Sequence, residues 1–269
     1  MKKIASCLLL IGCCLGITGC DMLEYHPYDV DVNYRNINAE NIEKIEARCE
    51  GKESIRFVWM GDTQRWYDET EDFVAHVNRR NDIDFVMHGG DISDFGMGRE
   101  FDWVHKIMRK LRVPYVALIG NHDILGNGLD VFEAMYGPVN FSFIAGKTKI
   151  VCLNTNALEF DYSEPVPDFE FIRKEFSDTE TRDYDNTVVT MHANPFGDQF
   201  NNNAAYPFQA YITRFKDLRF CLHAHTHSFS VNDYFEDGII YYGCDAMKKR
   251  SYIVFTVTPD DYEYELVYY

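Results

Sequence analysis

Carboxylates, amides and imidazoles recur in this chain at the ends of short apolar runs. The first run closes on Gly61-Asp62-Thr63-Gln64, the second on Gly90-Asp91-Ile92-Ser93-Asp94 and the third on Gly120-Asn121-His122-Asp123. A later run closes on His192, and another on His223-Ala224-His225-Thr226-His227. Hard oxygen donors and imidazoles delivered on separate loops are what a pair of divalent cations needs, with positions left open for water and substrate. Such a pair can hold a hydroxide for in-line attack on phosphorus and neutralise the charge growing on the equatorial oxygens.

Those clusters need elements to carry them. Apolar runs at 55–60, 84–89, 114–120, 149–155, 186–192 and 219–225 alternate with amphipathic segments. Helices are expected at 71–80, at 169–176, and at 99–111, where Phe101, Val104, Met108 and Leu111 share one face. Strands alternating with helices predict βαβ units around a buried sheet, and open α/β sheets gather ligand sites at the carboxyl ends of their strands. From Ser228 onward the chain is strand-like, with turn signals at Glu236-Asp237-Gly238 and Thr258-Pro259-Asp260, so antiparallel pairing is expected there. No repeat or second-domain boundary is visible, and 54–269 reads as one α/β domain.

In order and residue type the clusters resemble the calcineurin-like metallophosphoesterases, whose signature runs D-x-H, GDxxD, GNH[DE], a lone His and GHxH. The resemblance covers roughly 55–228. It implies a four-layer α/β/β/α sandwich and two divalent metal ions bridged by Asp91. By the same resemblance Asp62, Gln64 and His227 complete one ion's shell, and Asn121, His192 and His225 the other's. His122 matches a substrate-facing general acid, and Asp94 the carboxylate that orients it. Two positions depart from the pattern: D-x-H is here D-x-Q, and the glycine of GHxH is Ala224. A neutral amide oxygen at Gln64 favours manganese or magnesium over zinc, with iron also compatible. D-x-Q also occurs in family members acting on nucleotide-linked diphosphates, which tilts the expectation toward a phosphodiester or pyrophosphate bond. A phosphomonoesterase with the same site, or a metal-retaining binding lipoprotein without turnover, are the rival readings.

The chain opens on MKKIASCLLLIGCCLGITGC, two lysines before an apolar stretch too short to span a bilayer. Ile17-Thr18-Gly19-Cys20 resembles the lipobox of bacterial lipoproteins. The expectation is therefore a signal peptide at 1–19, lipid on Cys20, a tether with a short helix near Ala39 to Arg48 over 20–53, and a domain exported to the periplasm or cell surface. Loss of Lys2 and Lys3 takes the formal charge from −17 to −19. Nucleic-acid polymers are disfavoured as partners, because their binding rests on cationic side chains, and a small phosphorylated substrate remains. No obligate protein partner is expected. Cys49, Cys152, Cys221 and Cys244 lack metal-ligand spacing. His26, His76, His88, His105 and His223 read as surface, core or supporting histidines. Arg65, Arg99 and Arg250 read as solvent-exposed, and Trp66, Tyr67, Phe196 and Phe200 as ordinary packed aromatics beside the motif loops.

Overall fold

Strand β1 (Ile55–Met60) alternates its side chains between two apolar cores, and this alternation sets the layering of the whole chain. Phe57 and Trp59 enter a core shared with Phe85, Phe143, Phe220 and Phe255, while Val58 and Met60 enter another with Phe73, Val104 and Phe132. Because both faces of the strand are buried from Phe57 to Met60, its sequence after Arg56 is a continuous apolar run and not an alternating one. The computed structural model describes residue 30 and residues 32–160, 163–177 and 183–269; Cys20, His26 and the leader lie outside them.

Among the described residues the remaining strands are β2 (Phe85–His88), β3 (Tyr115–Ala117), β4 (Phe141–Ala145), β5 (Thr148–Leu153), β6 (Asn186–Met191), β7 (Leu218–His223), β8 (Ser230–Asn232), β9 (Ile240–Gly243), β10 (Ser251–Val257) and β11 (Tyr262–Tyr268). They form a five-stranded sheet in the order β11-β10-β1-β2-β3 and a six-stranded sheet in the order β4-β5-β6-β7-β9-β8. The aromatic core holding Phe57 lies between the sheets. A second core, with Val58, lies under helices α2 (Tyr67–Val77), α3 (Gly98–Met108) and α4 (Gly128–Met135). A third core, with Val151, Val189 and Cys221, lies under α5 (Phe169–Ser177) and α6 (Ala205–Ile212). The result is the expected α/β/β/α sandwich. β1, β2 and β3 run parallel, as do β5, β6, β7 and β9. The antiparallel pairs at the end of the chain fall in different sheets, β8 with β9 and β10 with β11.

Hydrogen bonds between the sheets tie their carboxyl ends together. Trp59 Nε1 donates to the His223 carbonyl at 3.0 Å, and Asn156 Nδ2 to the Ile119 carbonyl at 3.1 Å. The helix expected near Ala39 to Arg48 is α1 (Ile37–Cys49), and it belongs to the packed body and not to a tether. Asn38 Nδ2 donates to the Ala117 carbonyl and Asn38 Oδ1 accepts the Ala117 amide, both at 2.9 Å. One side chain thus closes the exposed edge of β3 as a neighbouring strand would.

Candidate metal centre

Loops at the carboxyl ends of β1, β2, the β3 run, β6 and β7 bring the seven expected ligands into one cluster. Ligand atoms of Asp91, His192 and His225 lie within 4.8 Å of one another, as do those of Asp62, Asp91 and His227, so Asp91 is common to both groups. His192 Nε2 is 3.3 Å from Asp91 Oδ1 and 3.0 Å from Asn121 Oδ1. His225 Nδ1 is also 3.0 Å from Asn121 Oδ1, and His227 Nε2 is 3.3 Å from Asp62 Oδ1. Gln64 Nε2 donates to Asp91 Oδ2 at 3.1 Å.

The backbone is bent to achieve this. Asp62, Gln64, Asp91, His225 and His227 all have positive φ, between 30° and 64°. Left-handed backbone at such residues costs on the order of 1–3 kcal/mol each and persists where the surrounding structure dictates it, characteristically at functional sites. Glycine makes the approach of the loops possible. A Cβ on Gly120 would sit 2.2 Å from Asp91 Oδ1, and one on Gly90, itself at φ 99°, 2.7 Å from His192 Nδ1. Ala224, the departure from GHxH, is fully buried, and Cβ atoms built on Gly61 or Gly89 would lie 3.0 Å from its methyl carbon. The alanine fits because two glycines face it.

The fit to cations rests on Asp62. Its carboxylate is 0% exposed and accepts no well-formed hydrogen bond, His227 Nε2 standing 3.3 Å from Oδ1. A buried carboxylate so poorly paired is costly unless a cation compensates it. The same deficit of positive charge acts on His192. Burial opposes its protonation, yet the Asp91 carboxylate raises its pKa to about 9. His192 in turn helps hold Asp91 down to about 2 against burial. His227 is raised as well, chiefly by its contact with Asp62. A field that would hold protons on imidazoles is one that favours divalent cations in their place.

His122 stands at the rim, its backbone N–H donating to Asp91 Oδ1 at 3.0 Å. Its Nδ1 donates to the Asp94 backbone carbonyl at 2.8 Å, whereas the nearest Asp94 carboxylate oxygen is 3.8 Å away and accepts Arg65 at 2.6 Å. The main chain of Asp94 therefore orients the imidazole here. This differs from the expected carboxylate contact, because Arg65 draws the carboxylate aside. Arg65 is 59% exposed, as expected, but ion-paired. Arg250 pairs with Asp72 at 2.6 Å and Arg99 is exposed on α3.

His88 and His105 are buried and bonded, to Thr63 Oγ1 at 2.9 Å and Tyr115 Oη at 2.7 Å. His76 contacts Tyr252 Oη at 3.0 Å, and His223 is buried behind the cluster with Nδ1 against the Ala224 carbonyl. Phe200 is buried, whereas Phe196 is 45% exposed at φ 68°. Trp66 is partly buried beneath Lys248, and Tyr67 packs edge-on against Trp103. Cys49, Cys152, Cys221 and Cys244 are buried and free, with thiol pKa values pushed up by burial.

Two residues carry more of the site than their sequence neighbourhood indicates. Asp123 is fully buried and accepts the amides of Ile92, Ser93 and Gly120 at 3.1, 2.7 and 2.9 Å, as well as Ser93 Oγ at 2.9 Å. It locks the Asp91 loop to the Asn121 loop. Its place beside Asn121 and His122 was the available signal. Asp198 accepts His225 Nε2 at 2.8 Å and so leaves Nδ1 for the cluster, and nothing in its sequence context marks it.

The sequence pattern of the calcineurin-like phosphoesterases matches residues 55–229, and the chain belongs to that family. A Bacillus subtilis (strain 168) protein described as uncharacterized protein YvnB is 30% identical over 84 residues, which is 27% of this chain and 6% of that protein. The chain thus spans a small fraction of that relative's length. Among solved structures, purple acid phosphatase PPD1 from yellow lupin (Lupinus luteus) seeds has TM-score 0.59 at 13% identity, covering 79% of this chain and 51% of its own. A dimetal phosphatase from Danio rerio has TM-score 0.55 at 11% identity, covering 78% and 98%. These two likenesses are of fold.

Proposed function

We propose that the protein is a two-metal phosphoesterase that hydrolyses a phosphodiester or pyrophosphate bond of a small substrate outside the cytoplasm. The observation that carries this reading is the sharing of Asp91 between two ligand groups, with the Asp62 carboxylate buried and accepting no well-formed hydrogen bond. Asp62, Gln64, Asp91 and His227 would hold one ion, and Asp91, Asn121, His192 and His225 the other. Bound there, the ions would supply a nucleophile derived from water and neutralise charge on the phosphoryl oxygens. The chain's own work is to place His122. With Nδ1 donating to the Asp94 carbonyl, Nε2 is the nitrogen that can pass a proton to the leaving oxygen.

A diester or anhydride is favoured over a monoester by Phe196. Its exposed ring, four residues after His192, joins Tyr206 and Phe235 at centroid distances of 5.9 and 5.2 Å and offers apolar surface to a second ester substituent. Manganese is favoured because Gln64 offers oxygen where the family pattern has imidazole. The leader and the lipobox-like segment support export and a lipid anchor on Cys20. Turnover of nitrophenyl mono- and diesters and of nucleotide diphosphates, by metal-free protein resupplied with Mn, Mg, Fe or Zn, tests the proposal. Diester or anhydride cleavage should dominate, and Phe196→Ala should raise KM for those substrates alone. Preference for small monoesters, unaffected by Phe196→Ala, would favour the monoesterase.

A further inference from the structure

At the end of β3 away from the metal cluster, the approach to α1, α1 itself and the last turn of α3 enclose an open cleft of about 560 Å³. Asn33, Tyr34, Arg35, Lys44, Arg109 and Arg112 are among its lining residues. Arg109 and Arg112 belong to a stretch of four cations in seven residues, with Lys106 and Lys110 outside the lining, in a chain with 43 acidic and 26 basic residues. Lys110 pairs with Glu71 at 2.8 Å and Lys106 lies 4.0 Å from Asp102. Among the described residues Arg35, Lys44, Arg109 and Arg112 have no ion-pair partner. Their hydrogen bonds run to neutral groups: Lys44 to Asn41 Oδ1 at 3.1 Å, Arg109 to Tyr34 Oη at 2.9 Å and Arg112 to the Asn78 carbonyl at 3.2 Å. Glu40 is the acid in the lining. A concentrated positive face on an acidic protein calls for an anionic partner.

The path of the chain says which. Val30 packs against the core, the chain is buried at Val32, and Asn33 and Tyr34 immediately line the cleft. Cys20 stands twelve residues earlier in the sequence, within roughly 40 Å even when fully extended. We infer that this basic face rests on the anionic headgroups of the membrane to which Cys20 tethers the chain, an inference that relies on the lipid anchor proposed above. Each cation near such a surface strengthens the attraction, and acids on the far side are screened beyond a Debye length of about 8 Å. A short tether supplies an effective concentration on the order of millimolar, so weak contacts suffice to orient the domain. Tyr115 begins the strand and Asn121 follows its far end. Seated this way, the protein turns its metal centre toward the water, where a small soluble substrate arrives.

The test uses unacylated Cys20→Ala protein, so that binding reads the cleft alone, while fatty-acid labelling of wild type reads the anchor separately. It should sediment with vesicles of phosphatidylglycerol and phosphatidylcholine at low salt and not with phosphatidylcholine alone. Lys44→Glu with Arg112→Glu should lower that binding about tenfold or more, while the equal charge change Lys174→Glu with Lys216→Glu leaves it near the Cys20→Ala level. Equal losses in both pairs, absence of binding to the anionic vesicles, or binding of inorganic phosphate without vesicles would each overturn the inference.

Discussion

Gln64 donates its side-chain amide to Asp91, the residue shared by both ligand groups, at 3.1 Å. In the proposed site the same amide would steady the shared carboxylate through nitrogen and offer its carbonyl oxygen to one ion. A histidine in its place would give a stronger donor for borderline metals and lose that particular support. Gln64→His should therefore tighten zinc more than manganese, and Gln64→Ala should weaken manganese at one of two sites. Metal titration monitored by calorimetry checks both. Unchanged metal affinity in Gln64→Ala would remove Gln64 from the ligand set.

Substitutions at His122 and Asp94 separate the proposed proton transfer from ligation. His122→Ala should retain both ions and lose about 10²–10⁴ in kcat, most for poor leaving groups. Asp94→Asn keeps the carbonyl that accepts Nδ1 and should cost far less, because the contact is from the main chain. A loss in Asp94→Asn as large as in His122→Ala would show that the carboxylate, not the carbonyl, sets the imidazole.

Asp123 gathers three backbone amides and a hydroxyl into one buried carboxylate. Asp123→Ala strands those donors, each worth ~1–3 kcal/mol when left unpaired, so a loss of several kcal/mol is expected. Urea unfolding of the metal-free protein reads this without interference from ligand binding. A change below about 1 kcal/mol would mean the two loops hold their shape without Asp123.

His105 is buried, and burial, aided by Arg109, lowers its pKa from 6.5 to about 4. The unfolded chain then binds the proton more readily than the folded one, so this contribution is complete above pH 6.5 and declines as the pH falls toward 4. His105→Gln can keep a hydrogen bond to Tyr115 while removing the titration. Its stability should fall less than that of wild type across this window, by ~2 kcal/mol, in denaturant midpoints measured at both ends. Parallel decline of the two proteins would place the acid sensitivity elsewhere.

Much of this arrangement is legible in the sequence because buried parallel strands read as apolar runs, and their carboxyl ends are where polar residues interrupt them. Phe57 and Val58 show why: neighbours on one strand enter different cores, so neither face needs a polar residue. The helix expected over 71–80 instead begins at Tyr67, where Asp68 and Glu69 occupy a first turn that favours acids. α4 and α6 were hidden by their eight-residue length, with glycine opening one and Pro207 inside the other. β4 was also missed, and among the described residues it stands as an edge strand paired with β5 alone. Within the site, ligand types and order are written in the motifs, but Asp198 meets His225 across a sequence separation of 27 residues. Contacts of that kind depend on loop paths that no local pattern records. Phe196 likewise could not be told from a packed aromatic until its exposure was seen.

The account turns on two ions sharing Asp91, and one measurement reads this directly: manganese titration of the metal-free protein, following bound metal and diester hydrolysis together. Two ions should bind per chain with turnover rising only as the second is filled, and Asp91→Asn should lose both ions and all turnover. Hydrolysis by metal-free protein, or two retained ions in Asp91→Asn, would contradict the account.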